Sequence, residues 1–210
     1  MSKNKVFDHN FRKYESWFEK NKYAYRSELN AVRSLLPSSG RGIEIGIGSG
    51  LFAKPLSINE GIDPSGKMRK IAESRGLKTK HGVAENIPYD DNTFDYALMV
   101  TTICFVDKPD ASIQEIKRIL KPGGYLITGF IDKDSPIGKM YLQHQSDSLF
   151  YREAQFYNTS MIVGYCQKHG FTEFRYVQTL FHDLTEITKE EPVLEGYGEG
   201  SFVVIRCRLA

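Results

Sequence analysis

An α/β fold built on a doubly wound, mostly parallel sheet is predicted by three observations. Short apolar runs alternate with amphipathic helical patterns from about residue 40 to residue 131, as in sheets covered by helices on both faces. A glycine-rich turn, Gly46-Ile47-Gly48-Ser49-Gly50, follows the first of these runs directly, where such sheets change direction and receive ligands. Two later strand-like runs have no helical pattern between them, which is most simply an antiparallel pair at the sheet edge. The expectation is a Rossmann-like sheet of seven strands, with the antiparallel pair at its C-terminal edge.

The elements follow in order. Residues 7–36 read as helix, because Phe7, Phe11, Tyr14, Trp17 and Phe18, then Leu29, Val32, Leu35 and Leu36, recur at steps of three and four. Pro37-Ser38-Ser39-Gly40 stops that element. Residues 42–47 are the first strand and residues 57–62 the second, which ends on Asp63. Between them, residues 51–58 leave room for barely two helical turns, interrupted by Pro55. A helix over 65–75 closed by Gly76, a strand over 77–83 and a strand over 94–100 come next. Pro109 and Asp110 open a helix bearing Ile113, Ile116, Ile119 and Leu120, and Pro122-Gly123-Gly124 stops it. A strand over 125–131, a helix over 159–169 and strands over 171–180 and 201–209 complete the chain.

Composition excludes several classes. The 210 residues carry 28 Lys+Arg against 26 Asp+Glu, a net charge of +2, with no dense basic run; a nucleic-acid clamp is not expected. Cys104, Cys166 and Cys207 are scattered, without metal-ligand or disulfide spacing, so no metal site is expected. The opening MSKNKVFDHN lacks the apolar stretch of a signal peptide. The longest weakly polar run, residues 96–106, is too short for a bilayer, which takes about 20 residues of helix. A cytoplasmic protein without a membrane partner is expected; the sequence is silent on oligomeric state.

The glycine turn and its acids carry the functional reading. A turn this sharp lets a ligand approach the backbone where a Cβ would collide. Asp63, at the end of the second strand, is placed to accept hydrogen bonds from a ribose diol. Gly48-Ser49-Gly50-Leu51-Phe52-Ala53 also satisfies the dinucleotide pattern G-x-G-x-x-A, so an NAD(P)-dependent oxidoreductase is an alternative. Glu44 argues against it: two residues before the first glycine it would repel a pyrophosphate, whereas it suits a ligand bearing ammonium and sulfonium charge. The short, Pro55-interrupted segment that follows is also a weak dipole for a diphosphate.

Four segments, Glu44–Gly50 (E-x-G-x-G-x-G), Gly61–Ser65 (GIDPS), Gly82–Asp95 (GVAENIPYDDNTFD) and Arg118–Leu126 (RILKPGGYL), resemble in order and spacing the successive motifs of class I S-adenosylmethionine-dependent methyltransferases. The resemblance covers about residues 40–131. It implies S-adenosylmethionine as methyl donor, with Gly46, Gly48 and Gly50 against its methionine moiety and Glu44 near its ammonium group. It implies Asp63 on the ribose, Pro64, Ser65 and Met68 along the adenine, and Ala84 and Glu85 at the adenine edge. Val100, Thr101 and Thr102 would border the methionine tail and the reacting centre. Two departures stand out. Val83 occupies a position where many members carry an Asp that accepts from the adenine amino group, leaving Glu85, a main-chain carbonyl or water for that bond. The interval from Gly46 to Asp63 is about four residues short, close to one helical turn.

The flanks should select the acceptor. Within one domain over residues 1–210, residues 1–36 are expected to form a helical lid, 40–131 the cofactor-binding half, and 132–210 a substrate wall and edge hairpin. Tyr14, Trp17 and Tyr25 are the preferred lid contacts, and Tyr141 and His144 the candidates from the wall. The expected activity is methyl transfer to a small molecule, with N or O unresolved; a non-catalytic S-adenosyl-ligand binding module is the second alternative. MVTTICFV follows the fourth strand in place of the N/D-P-P-Y/F of enzymes that methylate exocyclic amines of nucleic acids, and Thr101 and Thr102 stand where an aminopropyl transferase would want acids.

Overall fold

The computed structural model describes the backbone of residues 3–210 and side chains from residue 6 onward. The chain runs α1 (Lys3–Lys20), α2 (Lys22–Leu35), β1 (Gly42–Ile45), β2 (Glu60–Asp63), α3 (Gly66–Ser74), β3 (Lys78–His81), β4 (Phe94–Val100), α4 (Pro109–Ile119), β5 (Leu120–Ile131), α5 (Pro136–Gln143), α6 (Thr159–Lys168), β6 (Phe171–Thr179), β7 (Leu194–Glu195) and β8 (Phe202–Leu209). One sheet joins the strands in the order β3-β2-β1-β4-β5-β8-β6-β7. The first five strands pair in parallel, and β8 inserts antiparallel between β5 and β6.

The mixed α/β architecture agrees with expectation, with one more strand. The eighth is β7, a two-residue exposed strand pairing with β6. The sheet therefore does not end on the C-terminal pair; β7 covers its rim.

Asparagine side chains break the long N-terminal helix. Asn21 separates α1 from α2, and α1 itself bends at Asn10 (φ −120°, ψ 23°). Both amides donate to carbonyls four residues back, Asn10 to Val6 and Asn21 to Trp17, each at 2.9 Å. Such local bonds compete with the helix ladder and bend it. The segment 51–58 forms linked turns rather than a helix, ending where Ser57 takes φ 59°. In β5, Leu120 pairs with Phe94 and Tyr125 with Tyr96, so Lys121, Pro122, Gly123 and Gly124 loop out between them. An element absent from the sequence reading, α5, is capped by Ser135, whose hydroxyl accepts the Gly138 N–H at 3.0 Å.

Each face of the sheet is packed. On one, Ile113, Ile116 and Ile119 of α4 meet Ile162 and Cys166 of α6, all at most 1% exposed; burying each isoleucine contributes about 1.5–3 kcal/mol. On the other, Ala24, Ala31, Val32 and Leu35 of α2 pack with Phe52, Ala53 and Leu56. All three cysteines are buried and unbridged. Among the described residues no helix is long and apolar enough to cross a membrane.

Candidate active site

The carboxyl ends of β1, β2, β4 and β5 deliver their following residues to one cavity of about 570 Å³, within the ~300–1,000 Å³ range of small-molecule sites. Its first wall is the glycine turn. Gly46 adopts φ 73°, and a Cβ there would lie 2.4 Å from the Thr102 side chain, so no larger residue fits. The N–H groups of Gly46 and Ile47 both donate to the Ile62 carbonyl at 2.9 Å, tying the turn to β2. Gly50 is required for packing instead. At φ 82° its Cβ would meet Leu77 Cδ1 at 2.3 Å, so it closes the turn against the core and lies off the cavity wall.

Asp63 lines the cavity and organises this corner. Its Oδ2 accepts the Gly48 N–H and its Oδ1 the Ser65 N–H, both at 2.8 Å. Burial pushes its carboxyl up to about 6, and these two N–H groups restrain the rise. Ser65 then caps α3, accepting the Met68 N–H at 3.1 Å. Pro64, Ser65 and Met68 follow Asp63 along the wall, and Val83, Ala84 and Glu85 stand with them. Glu85 is partly committed, because its Oε1 accepts the N–H groups of Asp107 and Lys108 at 2.8 and 2.9 Å. Val100, Thr101 and Thr102 complete this end, with Thr101 in the left-handed region at φ 46°, a strained conformation for a β-branched residue.

Glu44 does not line the cavity. It is 2% exposed, and its Oε2 has no hydrogen-bond partner in the protein. Burial drives its carboxyl well above the usual range, against the pull of the Ala53 N–H, and Asp63 raises it further. The charges of Glu44 and Asp63 both act on Tyr14.

The opposite end is aromatic. Phe7 stacks on Phe150 at 5.3 Å and meets Tyr14 edge-on at 5.9 Å. Tyr151 stacks on Phe105 at 5.7 Å and on Tyr141 at 5.0 Å. Tyr14 spans both ends: its hydroxyl lies 3.6 Å from where a Gly48 Cβ would stand, and burial together with Glu44, Asp63, Glu15 and Glu28 pushes its pKa far up. Helix α1 is fastened over the turn by Glu15, which accepts from Ser49 Oγ and Arg75, and by Asp8, which accepts from Ser65 Oγ and the Lys67 N–H.

Of the residues singled out in the sequence, Gly46, Gly48, Asp63, Pro64, Ser65, Met68, Ala84, Glu85, Val100, Thr101, Thr102, Tyr14, Trp17 and Tyr141 line this cavity together. Glu44, Gly50, Tyr25 and His144 do not. Tyr25 is a brace, its hydroxyl donating to the Leu51 carbonyl at 2.5 Å and its ring packing on Phe18 and Phe52. His144 is exposed at the end of α5. The sequence reading missed Glu28 and Phe105. Glu28 is 3% exposed and faces the cavity, and burial pushes its carboxyl up to about 8. Its signal was present: Ala24, Glu28, Ala31 and Leu35 share one face of α2, so a carboxylate interrupts an otherwise apolar stripe. Among the described residues no group of three or more His, Cys, Asp or Glu is placed to hold a metal ion.

Comparison with known proteins bears on the family and the fold. The family described as "Methyltransferase domain" matches residues 43–128. An uncharacterized protein of Methanocaldococcus jannaschii is 42% identical over 200 residues, spanning 95% of this chain and 97% of its own. An uncharacterized protein of Mycobacterium tuberculosis is 32% identical over 75% of this chain, which spans 57% of that relative. The crystal structure of an S-adenosylmethionine-dependent methyltransferase of Thermotoga maritima, described as a possible histamine N-methyltransferase, superposes with a TM-score of 0.97 at 48% identity, covering 99% of this chain and 100% of that one. The chain belongs to the class I S-adenosylmethionine-dependent methyltransferase family.

Proposed function

We propose that the protein transfers a methyl group to a small molecule, with S-adenosylmethionine at the glycine end of the cavity and the acceptor at its aromatic end. The observation that carries this reading is the division of one cavity into a corner of backbone N–H groups and carboxylates and a chamber of rings. The residues present fit the donor. The unpartnered Oε2 of Glu44 lies off the cavity wall and would reach the ammonium group only through water. Each Asp63 oxygen keeps a lone pair for a ribose hydroxyl beyond its backbone bond. Met68 lines the cavity beside Pro64 and Ser65 and would pack its apolar side chain on the adenine. With Val83 unable to accept, the adenine amino group falls to a main-chain carbonyl, to water or to the second oxygen of Glu85.

The donor supplies an activated methyl group on a good leaving group, so the chain's work is alignment and exclusion of water; such positioning can supply on the order of 7–11 kcal/mol. Residues 1–36 would act as the lid, α1 closing over the turn through Glu15 and Asp8. Residues 132–210 would contribute the far wall through Tyr141 and Tyr151. The Thermotoga maritima neighbour's description as a possible histamine N-methyltransferase points toward nitrogen as the atom methylated. Family membership gives the nicotinamide alternative no support. Titration calorimetry with S-adenosylhomocysteine and with NADH tests the reading: micromolar binding of the first and none of the second is expected. Comparable NADH binding would overturn it.

A further inference from the structure

We infer that Glu28 is the acceptor-binding carboxylate of this site, that the acceptor is a small amine, and that Glu28 takes the proton the amine sheds before methylation. The inference rests on the methyl-transfer reading above and adds to it a substrate class and a residue.

Four carboxylates are buried among the described residues: Glu28, Glu44, Asp63 and Asp132. Three have backbone partners. Asp63 accepts from Gly48 and Ser65, Asp132 from Asp134 and Thr159, and Glu44 from Ala53. Glu28 differs. No hydrogen bond or ion pair among the described residues reaches its carboxylate, although it is 3% exposed and faces the cavity. An isolated carboxylate this deeply buried among rings is costly. A ligand that brings a positive charge to it removes that cost.

The surroundings select an ammonium group. The titratable groups that feel the charge of Glu28 are phenols: Tyr14 from α1, Tyr25 from α2, Tyr141 from α5 and Tyr151 from the segment after it. The other charged side chains on the cavity wall are Lys13, Asp63, Glu85, Asp107 and Glu153. Aromatic faces attract cations, and rings around one carboxylate complement a compact ammonium. A carboxylate acceptor would be repelled, and an alcohol or phenol brings no charge to answer Glu28.

The step balances. An amine arrives as its ammonium ion, since its ordinary pKa is near that of lysine, about 10.4. Glu28 accepts one proton, which frees the nitrogen lone pair. That pair forms the N–C bond to the methyl carbon while the C–S bond breaks, its electrons remaining on sulfur. The products are the N-methylammonium ion and the neutral thioether S-adenosylhomocysteine, with the proton on Glu28 until it returns to solvent. Net charge is equal on both sides. Without ligand Glu28 holds a proton near neutral pH; it yields that proton to solvent as the ammonium ion binds, and the same burial makes the resulting carboxylate a stronger base than an exposed one.

The test uses the full chain, as wild type, E28Q and E28D. Calorimetry first measures S-adenosylhomocysteine affinity, expected to agree within about twofold across the three, which also reports that they fold. Histamine and phenethylamine are then titrated into the S-adenosylhomocysteine-saturated proteins, beside 2-phenylethanol, phenol and benzoate. An amine should bind the wild type while the non-amines do not, and E28Q should weaken it by about tenfold or more. Turnover of the same compounds, followed as S-adenosylhomocysteine formation, should be confined to amines, fall about 100-fold in E28Q and return in part in E28D. Absence of amine binding in a protein that binds S-adenosylhomocysteine, equal turnover of a non-amine, or undiminished amine binding by E28Q would each overturn the inference. Failure of the wild type to bind S-adenosylhomocysteine would instead overturn the methyl-transfer reading beneath it.

Discussion

Replacing Asp63 by Asn separates the donor-binding role of this carboxylate from its structural one. In the free protein burial raises the Asp63 carboxyl from 3.8 to about 6. That shift corresponds to about 3 kcal/mol against the anion at neutral pH. A neutral amide escapes this penalty. It also turns an N–H₂ group toward one of the two backbone donors, Gly48 or Ser65, which now point at carboxylate oxygens from 2.8 Å; leaving such a donor unpaired costs about 1–3 kcal/mol. The two effects nearly offset, so D63N should melt at or slightly above the wild-type temperature at pH 7.5. Donor binding should respond quite differently. Hydrogen bonds to a charged group are worth about 1.5–3 kcal/mol each, and the amide retains one neutral bond at most. A loss of about 3 kcal/mol is expected, roughly 100-fold in S-adenosylhomocysteine affinity. pH gives a second reading of the same group. Binding requires the anion, so wild-type affinity should be full above about pH 7 and fall about tenfold per pH unit well below 6, while D63N stays flat. Calorimetry and thermal denaturation on one preparation measure both quantities. An affinity loss under about tenfold, or a collapse in melting temperature, would refute the assignment of Asp63 to the donor.

Glu28 should mark the pH dependence of stability. Its carboxyl is raised from 4.5 to about 8 in the folded protein, so between those values the folded state holds a proton that the unfolded chain has released. Its contribution to stability therefore falls as pH rises through that window, by about 1.4 kcal/mol per pH unit, and E28Q should lose this slope in melts from pH 5 to 9. Glu15→Ala removes the acceptor shared by Ser49 and Arg75; about 1–2 kcal/mol of α1 docking should be lost, read as roughly tenfold faster amide exchange across α1 with little change in the global melt. Gly46→Ala forces a methyl group to within 2.4 Å of Thr102 at φ 73° and should abolish S-adenosylhomocysteine binding, with a stability cost of at least about 1–3 kcal/mol; retained binding would show that the turn does not touch the donor.

The parallel half of the sheet was legible in the sequence because its information is local. Strand periodicity, the glycine turn and the acid ending β2 lie within a few residues of one another, and parallel strands need apolar runs that announce themselves. Gly46 and Asp63 could be named for the same reason, since the turn and the acid are neighbours in sequence, whereas Met68 followed from the family resemblance. Tertiary structure decided what depends on distant partners. Tyr25 and Tyr14 sit at similar aromatic positions, yet Tyr14 reaches Gly48 while Tyr25 is held by Leu51 and Phe52. The edge strand β7 exists only because β6 presents an open rim. Glu28 is a surface-type residue by composition and becomes a buried one where Tyr14 of α1, Tyr141 of α5 and Tyr151 line one cavity with it. Burial and the electrostatics it amplifies come from the closing of elements remote in sequence, and so neither spacing nor residue type alone could assign them.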